Sequence, residues 1–189
     1  GLDKLPTPPP RADLVPGAND RPLQAVTSCR EHLVGLGLGE TMNYSFVADR
    51  LLDLFDESDR ARRVALSNPV NMEQAWMRTS LIPQMVETLG RNLAHQVAEA
   101  ALFEIGRVFF QGPDGHPAEE DRLVIGLMGP VGRGGLDRRR AVRSDEMFLW
   151  IKGIWEGLAA AQRMDGVVLR EAGRPWAEEG CAVELVVGG

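Results

Sequence analysis

Residues 68–110 constrain this chain more than any other stretch. They read NPVNMEQAWMRTSLIPQMVETLGRNLAHQVAEAALFEIGRVFF. Asn68-Pro69 opens the stretch as a turn, because a residue before proline is pushed out of the helical region. Met77-Arg78-Thr79-Ser80-Leu81 then leads into a helix in which Leu81, Met85, Leu89 and Leu93 recur at i, i+4 steps, with Ile82 and Val86 beside them. Pro83 suits the first turn, where its missing N–H costs nothing, and Thr79 or Ser80 supplies a capping hydroxyl. Residues 100–110, rich in Leu, Phe, Ile and Val, read as a long and mostly buried strand. Gly112-Pro113-Asp114-Gly115 is a strong hairpin signal, and residues 123–128 are the expected antiparallel partner.

The flanks extend this into an α+β pattern. Residues 2–20 hold Pro6, Pro8, Pro9, Pro10 and Pro16. Proline blocks helix continuation and favours extended structure, so residues 1–20 read as an arm or linker and residues 21–189 as one domain. A helix begins near Asp20 with Pro22 in its first turn. It presents Leu23, Val26, Leu33 and Leu36 on one side and stops at Gly35, Gly37 and Gly39. Met42, Tyr44 and Phe46 then alternate with Asn43 and Ser45, a strand signal. Residues 48–55, opened by Asp49, form a short helix, and residues 62–66 a short strand. Residues 129–143 are a loop rich in Gly and Arg. Ser144 caps a further helix, with Asp145 and Glu146 at its positive end and Met147, Ile151, Ile154, Trp155 and Leu158 as its buried stripe. Residues 167–171 and 182–187 close the chain as strands. The expected fold class is α+β: an antiparallel sheet flanked by helices.

The 189 residues are 44% hydrophobic and 25% charged, which suffices for a core without disulfide or metal staples. A net charge of −6 argues against a nucleic-acid binder held by bulk positive charge. Cys29 and Cys181 stand far apart and show no zinc-type spacing. They read as reduced thiols of a cytoplasmic protein. No apolar run approaches the ~20 residues of a membrane span, and no leader pattern opens the chain. The first and last residues read as running text, as in an excised piece of a longer protein.

Several motifs occur in one order and spacing: Gly39-Glu40-Thr41-Met42-Asn43-Tyr44-Ser45-Phe46-Val47, Asn68-Pro69-Val70, Arg78-Thr79-Ser80-Leu81, Leu102-Phe103-Glu104-Ile105-Gly106-Arg107-Val108-Phe109, and Lys152-Gly153. Together they resemble the beta subunit of bacterial phenylalanyl-tRNA synthetase over nearly the whole chain, and Gly1-Leu2-Asp3-Lys4-Leu5-Pro6 looks like the end of that family's preceding domain. The resemblance implies a class II aminoacyl-tRNA synthetase fold. It also implies a catalytic-like module that is not itself the active site. In the family the alpha subunit performs phenylalanine activation and aminoacylation with ATP and Mg, and the beta-subunit module packs against it in an (αβ)2 assembly that handles phenylalanine tRNA. The helix over residues 21–36 and the strand after it would correspond to motif 1, the interface-building element of class II enzymes.

The residues argue separately against catalysis here. A class II core needs an arginine on the motif 2 strand for the ATP α-phosphate, because a planar guanidinium binds phosphate oxygens bidentately and offsets developing charge. Active relatives read Gly-Arg-Val-Tyr-Arg, whereas this chain reads Gly106-Arg107-Val108-Phe109-Phe110. Phe110 stands where the phosphate arginine would be, and alternation puts Arg107 on the opposite face. No catalytic, cofactor or metal residue is assigned to this chain.

Other features carry two readings each. Arg78 either binds an anion or forms a structural ion pair. Glu104 and Arg107 are site residues or partners that hold strand to helix. His32, His95 and His116 share no short spacing. Arg138, Arg139 and Arg140, with Arg133 and Arg143, either touch a tRNA backbone or form a solvated loop. Among Trp76, Trp150, Trp155 and Trp176, which are candidates for stacking on bases, Trp155 reads as core and Trp150 as an interface anchor. The expected interface set is Leu33, Leu36, Tyr44, Phe46 and Trp150, with Leu33, Leu36, Tyr44 and Phe46 shared between core and interface, and with the apolar face of the helix over residues 144–161 packed. An uncovered interface predicts weak self-association. The rival readings are a residual ATP-dependent adenylating domain, in which Arg78 or Arg107 replaces the missing group, and a tRNA-contacting module.

Overall fold

The computed structural model describes Lys4 and residues 21–55, 60–132, 140–164, 166–179 and 182–187. The proline arm, Cys181, Arg133, Arg138 and Arg139 lie outside these residues. Among the described residues there are four helices, α1 (Arg21–Gly35), α2 (Asp49–Phe55), α3 (Ile82–Ala94) and α4 (Ser144–Ala161), and the strands β1 (Gly39–Glu40), β2 (Phe46–Val47), β3 (Trp76–Met77), β4 (Ala100–Gln111), β5 (Pro117–Met128), β6 (Val167–Glu171) and β7 (Val183–Val187).

The hairpin is the spine. β4 and β5 pair antiparallel along their full length, from Ala100 opposite Met128 to Gln111 opposite Pro117. The Gly-Pro-Asp-Gly turn closes it, with Gly115 at φ +79° supplying the left-handed residue. β5 therefore starts earlier than its apolar half suggested. β1 joins the other edge of β4 in parallel, while β2 with β3 and β6 with β7 form separate two-stranded antiparallel sheets.

One face of the hairpin meets α1 and α4. Leu33, Leu38 and Phe103 are its buried centre, with Cys29, Ala101, Ile105, Leu123, Ile125 and Ile154 packed around them. The end of α1 sets this contact. Gly37 turns left-handed at φ +87°, the Leu38 N–H donates to Leu33 O at 3.1 Å and the Gly37 N–H to Val34 O at 2.9 Å. This is a Schellman closure whose apolar contact joins the third-last helical residue to the second residue beyond the cap. The same two leucines enter the core. α3 covers the opposite face: a Cβ at Gly126 would lie 2.8 Å from Met85 Cγ and Sδ and 2.9 Å from Leu89 Cδ1.

Several local expectations change. Residues 42–45 alternate in burial but form no strand; side chains from neighbouring elements bond their backbone, as described below. Residues 62–66 are not a strand. Arg60–Arg62 is a 3-10 turn, and only Ala65 bridges Trp76. Here Arg63 turns inward to Asp49 Oδ1 at 2.6 Å and Asp53 Oδ1 at 2.8 Å. Ser144 is the first residue of α4, and Arg143 occupies the cap position. Leu81 caps α3, whose Ile82 N–H reaches Ser80 Oγ at 3.2 Å. On the helices, Leu23, Val86, Leu93 and Ile151 are exposed rather than buried. α1 buries Leu33 alone.

Candidate functional site

The face of β4 that carries Glu104, Gly106, Val108 and Phe110 holds the chemistry the sequence singled out. At its centre Arg78 and Glu104 are 3% and 1% exposed, and Arg78 Nη1 donates to Glu104 Oε1 at 2.7 Å. Arg78 Nε donates to the Arg107 carbonyl at 2.8 Å, and Nη1 also reaches Gln84 Oε1 at 3.3 Å. The Asn43 side-chain amide donates to Glu104 Oε2 at 2.8 Å and its backbone N–H to Oε1 at 3.3 Å. Thr88 Oγ1 donates to Asn43 Oδ1 at 3.0 Å. Gln84 Nε2 donates to Tyr44 O at 2.5 Å and Phe46 O at 3.3 Å. Such partners are what make a buried charge pair tolerable. Gly106 leaves the room: a Cβ there would strike the Arg78 guanidinium. Arg78 is thus a structural ion pair, and Glu104 is its buried partner.

Arg107 is placed elsewhere. It is exposed on the other face, bonded to Glu119 Oε2 at 2.6 Å and Asp121 Oδ1 at 3.4 Å. The Glu119 hydrogen bond foremost, then the charges of Glu119 and Asp121, hold its guanidinium above the usual range. Neither arginine named as a substitute for the missing phosphate ligand is available at Phe110. Instead Arg62 lies there, its guanidinium carbon 4.7 Å from the Phe110 ring centroid, a cation–π contact. No periodicity signals this approach, because Arg62 arrives from a 3-10 turn. Phe110 offers no donor to a phosphate, and the strand that should present one presents a ring under a guanidinium. This face does not fit the ATP α-phosphate in the way the class II strand arginine does.

The interface candidates separate into core and surface. Leu33 is fully buried, so it serves the core and has no surface to give a partner. Leu36 is 49%, Tyr44 72% and Phe46 37% exposed, and Met42, beside them, is 91% exposed. Leu36, Tyr44 and Phe46 are thus surface residues rather than core. Trp150 is exposed at its edge and lies against Gly132, where any Cβ would strike the indole. It borders an apolar cavity of about 400 Å³ with Leu36, Leu38, Leu127 and Ile154. Trp155 is half-buried, with its Nε1 enclosed and without a hydrogen-bond partner among the described residues. Trp176 packs on Phe55 with ring centroids 6.0 Å apart.

Of the arginine loop, Arg138 and Arg139 fall outside the described residues. Arg140 donates to Glu146 Oε1 at 2.5 Å, so it is tied to the start of α4. Cys29 is half-buried and has no disulfide partner among the described residues, and burial pushes its thiol up. Among the described residues no group of three or more His, Cys, Asp and Glu is placed to hold a metal ion, and no helix is long and apolar enough to cross a membrane.

Comparison with known proteins bears on the family and the fold. The beta subunit of phenylalanine–tRNA ligase from Moorella thermoacetica is 35% identical over 141 residues, covering 73% of this chain and 17% of that protein. The Geobacter sulfurreducens beta subunit is 32% identical over 169 residues, covering 88% of this chain and 21% of that protein. The chain thus spans about a fifth of the length of such relatives. Among solved structures, a pyrrolysyl-tRNA synthetase from Desulfitobacterium hafniense superposes with a TM-score of 0.60 at 16% identity, covering 79% of this chain and 49% of that one. A histidine–tRNA ligase subunit from Alicyclobacillus acidocaldarius superposes at 0.61 with 14% identity, covering 87% of this chain and 44% of that one. At such identities the likeness concerns the fold alone, which is class II synthetase-like. Residues 5–189 match the phenylalanyl tRNA synthetase beta chain CLM domain, and the chain belongs to that family.

Proposed function

We propose that this chain is the non-catalytic, synthetase-like core module of a phenylalanyl-tRNA synthetase beta subunit, and that it supports assembly with the catalytic alpha subunit in a cytoplasmic, ATP- and Mg-using complex that charges phenylalanine tRNA. One observation carries the reading. On the face where a class II core binds ATP, Phe110 replaces the phosphate donor, and Arg78, a buried arginine, is committed to Glu104, Gln84 and the Arg107 carbonyl. A face arranged this way keeps the synthetase outline and spends its charge internally. The exposed Met42, Tyr44 and Phe46 supply surface for a partner.

Co-expression of the full beta subunit with its alpha subunit tests this. The two are expected to co-purify, with phenylalanine-dependent ATP–pyrophosphate exchange following the alpha subunit. Arg62 favours a second reading, because its guanidinium is brought to Phe110. Exchange by this chain alone that disappears in Arg62→Ala would establish adenylation here and overturn the proposal.

A further inference from the structure

The core is left unfilled beside α1. Cys29, Ile105 and Leu123 belong to the apolar group packed around Leu33 and Phe103. The same three side chains also line a cavity of about 260 Å³, together with Val26, Leu158 and Met164. Over residues 21–32 no residue of α1 is fully buried, and Met164, at the cavity, is 39% exposed. Atoms bordering such a void lack dispersion partners on one side, and their apolar surface stays open to water. An aliphatic group placed there would complete the existing core rather than start a second one.

Size and tether select the occupant. A void of roughly 150 Å³ takes a benzene-sized group, so this one takes one or two aliphatic side chains and no folded element. A separate protein needs about 800 Å² on its side of a stable interface. A segment joined to the wall of the cavity needs far less, because a short tether holds it at a local concentration on the order of millimolar. α1 starts at Arg21, and Ala25 and Val26, at the cavity, stand one helical turn further on. The chain before the helix reads Arg11-Ala12-Asp13-Leu14-Val15-Pro16-Gly17-Ala18-Asn19-Asp20. Leu14-Val15 is the one pair of adjacent large aliphatic residues in residues 1–20. Pro16-Gly17, a type II turn signal, stands between that pair and the helix, where a reversal brings the pair back along α1. The steps from Val15 to Arg21 span up to ~20 Å, against ~6 Å for one turn of α1. We propose that Leu14 and Val15 dock in this cavity, so that the proline arm closes the core of its own chain. Arm and cavity lie in one chain, so this stands apart from the assembly reading.

Disulfide trapping tests this, because the bond forms only where two Cα atoms come within about 7 Å and Cys29 already lines the cavity. The full-length beta subunit is used, with and without the alpha subunit, carrying Val15→Cys or, as a control on the same tether, Thr7→Cys. Oxidised glutathione is the oxidant, and peptide mapping by mass spectrometry reads the bond to Cys29. Position 15 is expected to pair with Cys29 on the order of tenfold faster than position 7, whether or not the alpha subunit is present. A second measurement uses alkylation of Cys29 by N-ethylmaleimide. Leu14→Asp is expected to speed it by a similar factor while the far-UV circular dichroism stays unchanged. Equal trapping at the two positions, or alkylation unaffected by Leu14→Asp, would overturn the proposal. So would protection of Cys29 that appears only with the alpha subunit, because the partner and not the arm would then be the cover.

Discussion

On one face of the β4 and β5 hairpin, Phe103 and Ile105 meet Leu33, Leu38, Leu123 and Ile125. On the other face, one residue along the same strand, Glu104 meets Arg78 and Asn43. The first face is held by area removed from water, which is non-directional and degrades gradually as atoms are trimmed. The second is held by a closed set of donors and acceptors, which fails when one member is lost because the rest are left buried and unpaired. The strand pleat puts both solutions on one backbone, and the charged one faces the segment that displays Met42, Tyr44 and Phe46.

Deleting one side chain from each face separates the two modes of support most strongly. Phe103→Ala should cost about 3–5 kcal/mol by emptying a fully buried site. Arg78→Ala should cost a similar amount, about 3–5 kcal/mol, by stranding the Glu104 carboxylate. Urea unfolding of each variant measures both, and a loss under 1 kcal/mol in Arg78→Ala would show the network to be solvated rather than closed.

Gly126→Ala comes next. Its new Cβ would press on Met85 and Leu89, which are flexible, so overpacking of about 1–3 kcal/mol is expected. A larger loss would mean that α3 is rigidly seated. Smaller again should be the double change Arg78→Met with Glu104→Leu, which removes both charges together. It is expected to recover most of the stability lost in Arg78→Ala. Failure to recover it in urea unfolding would show that the cost lies outside the charge pair.

The smallest effect concerns Asp53, exposed at the edge of α2. Hydrogen bonds from Arg63 and then Arg60 hold its carboxyl below the usual range. A carboxyl depressed in the folded state contributes stability above its ordinary pKa and loses that contribution as pH falls through the lowered folded value. Asp53→Asn should therefore lower Tm slightly at neutral pH and flatten the acid limb of a Tm-against-pH curve. An unchanged acid limb would remove Asp53 from the set of groups that pin Arg63.

Much of the fold was legible because periodicity reports burial. The run over residues 100–110 and the Gly-Pro-Asp-Gly turn specify the hairpin, and Gly37 after Leu33 specifies the end of α1. Legibility failed where polar side chains rather than strands satisfy the backbone. The alternation of Met42, Tyr44 and Phe46 imitates a strand, yet Glu104 and Gln84, distant in sequence, supply the bonds. The arginines of residues 60–63 hid their roles for the same reason. Arg60 and Arg63 turn to the carboxylates of α2 while Arg62 stacks on Phe110, and no local pattern separates them. Ile151 and Leu93 continue apolar stripes on their helices yet stand exposed, because periodicity reports a helical face and not what covers it.

The order of elements, the α+β class, the family outline and the presence of Phe110 after Gly106-Arg107-Val108-Phe109 could be read from the chain alone, because each is written in residue identity or in short-range period. Only the tertiary structure decided that Arg78 is consumed by Glu104, that Arg107 faces away, that Arg62 reaches the Phe110 ring and that residues 42–46 rest on a buried charged support. Those outcomes depend on which residues from remote segments meet in a site too dry to leave any charge unpaired.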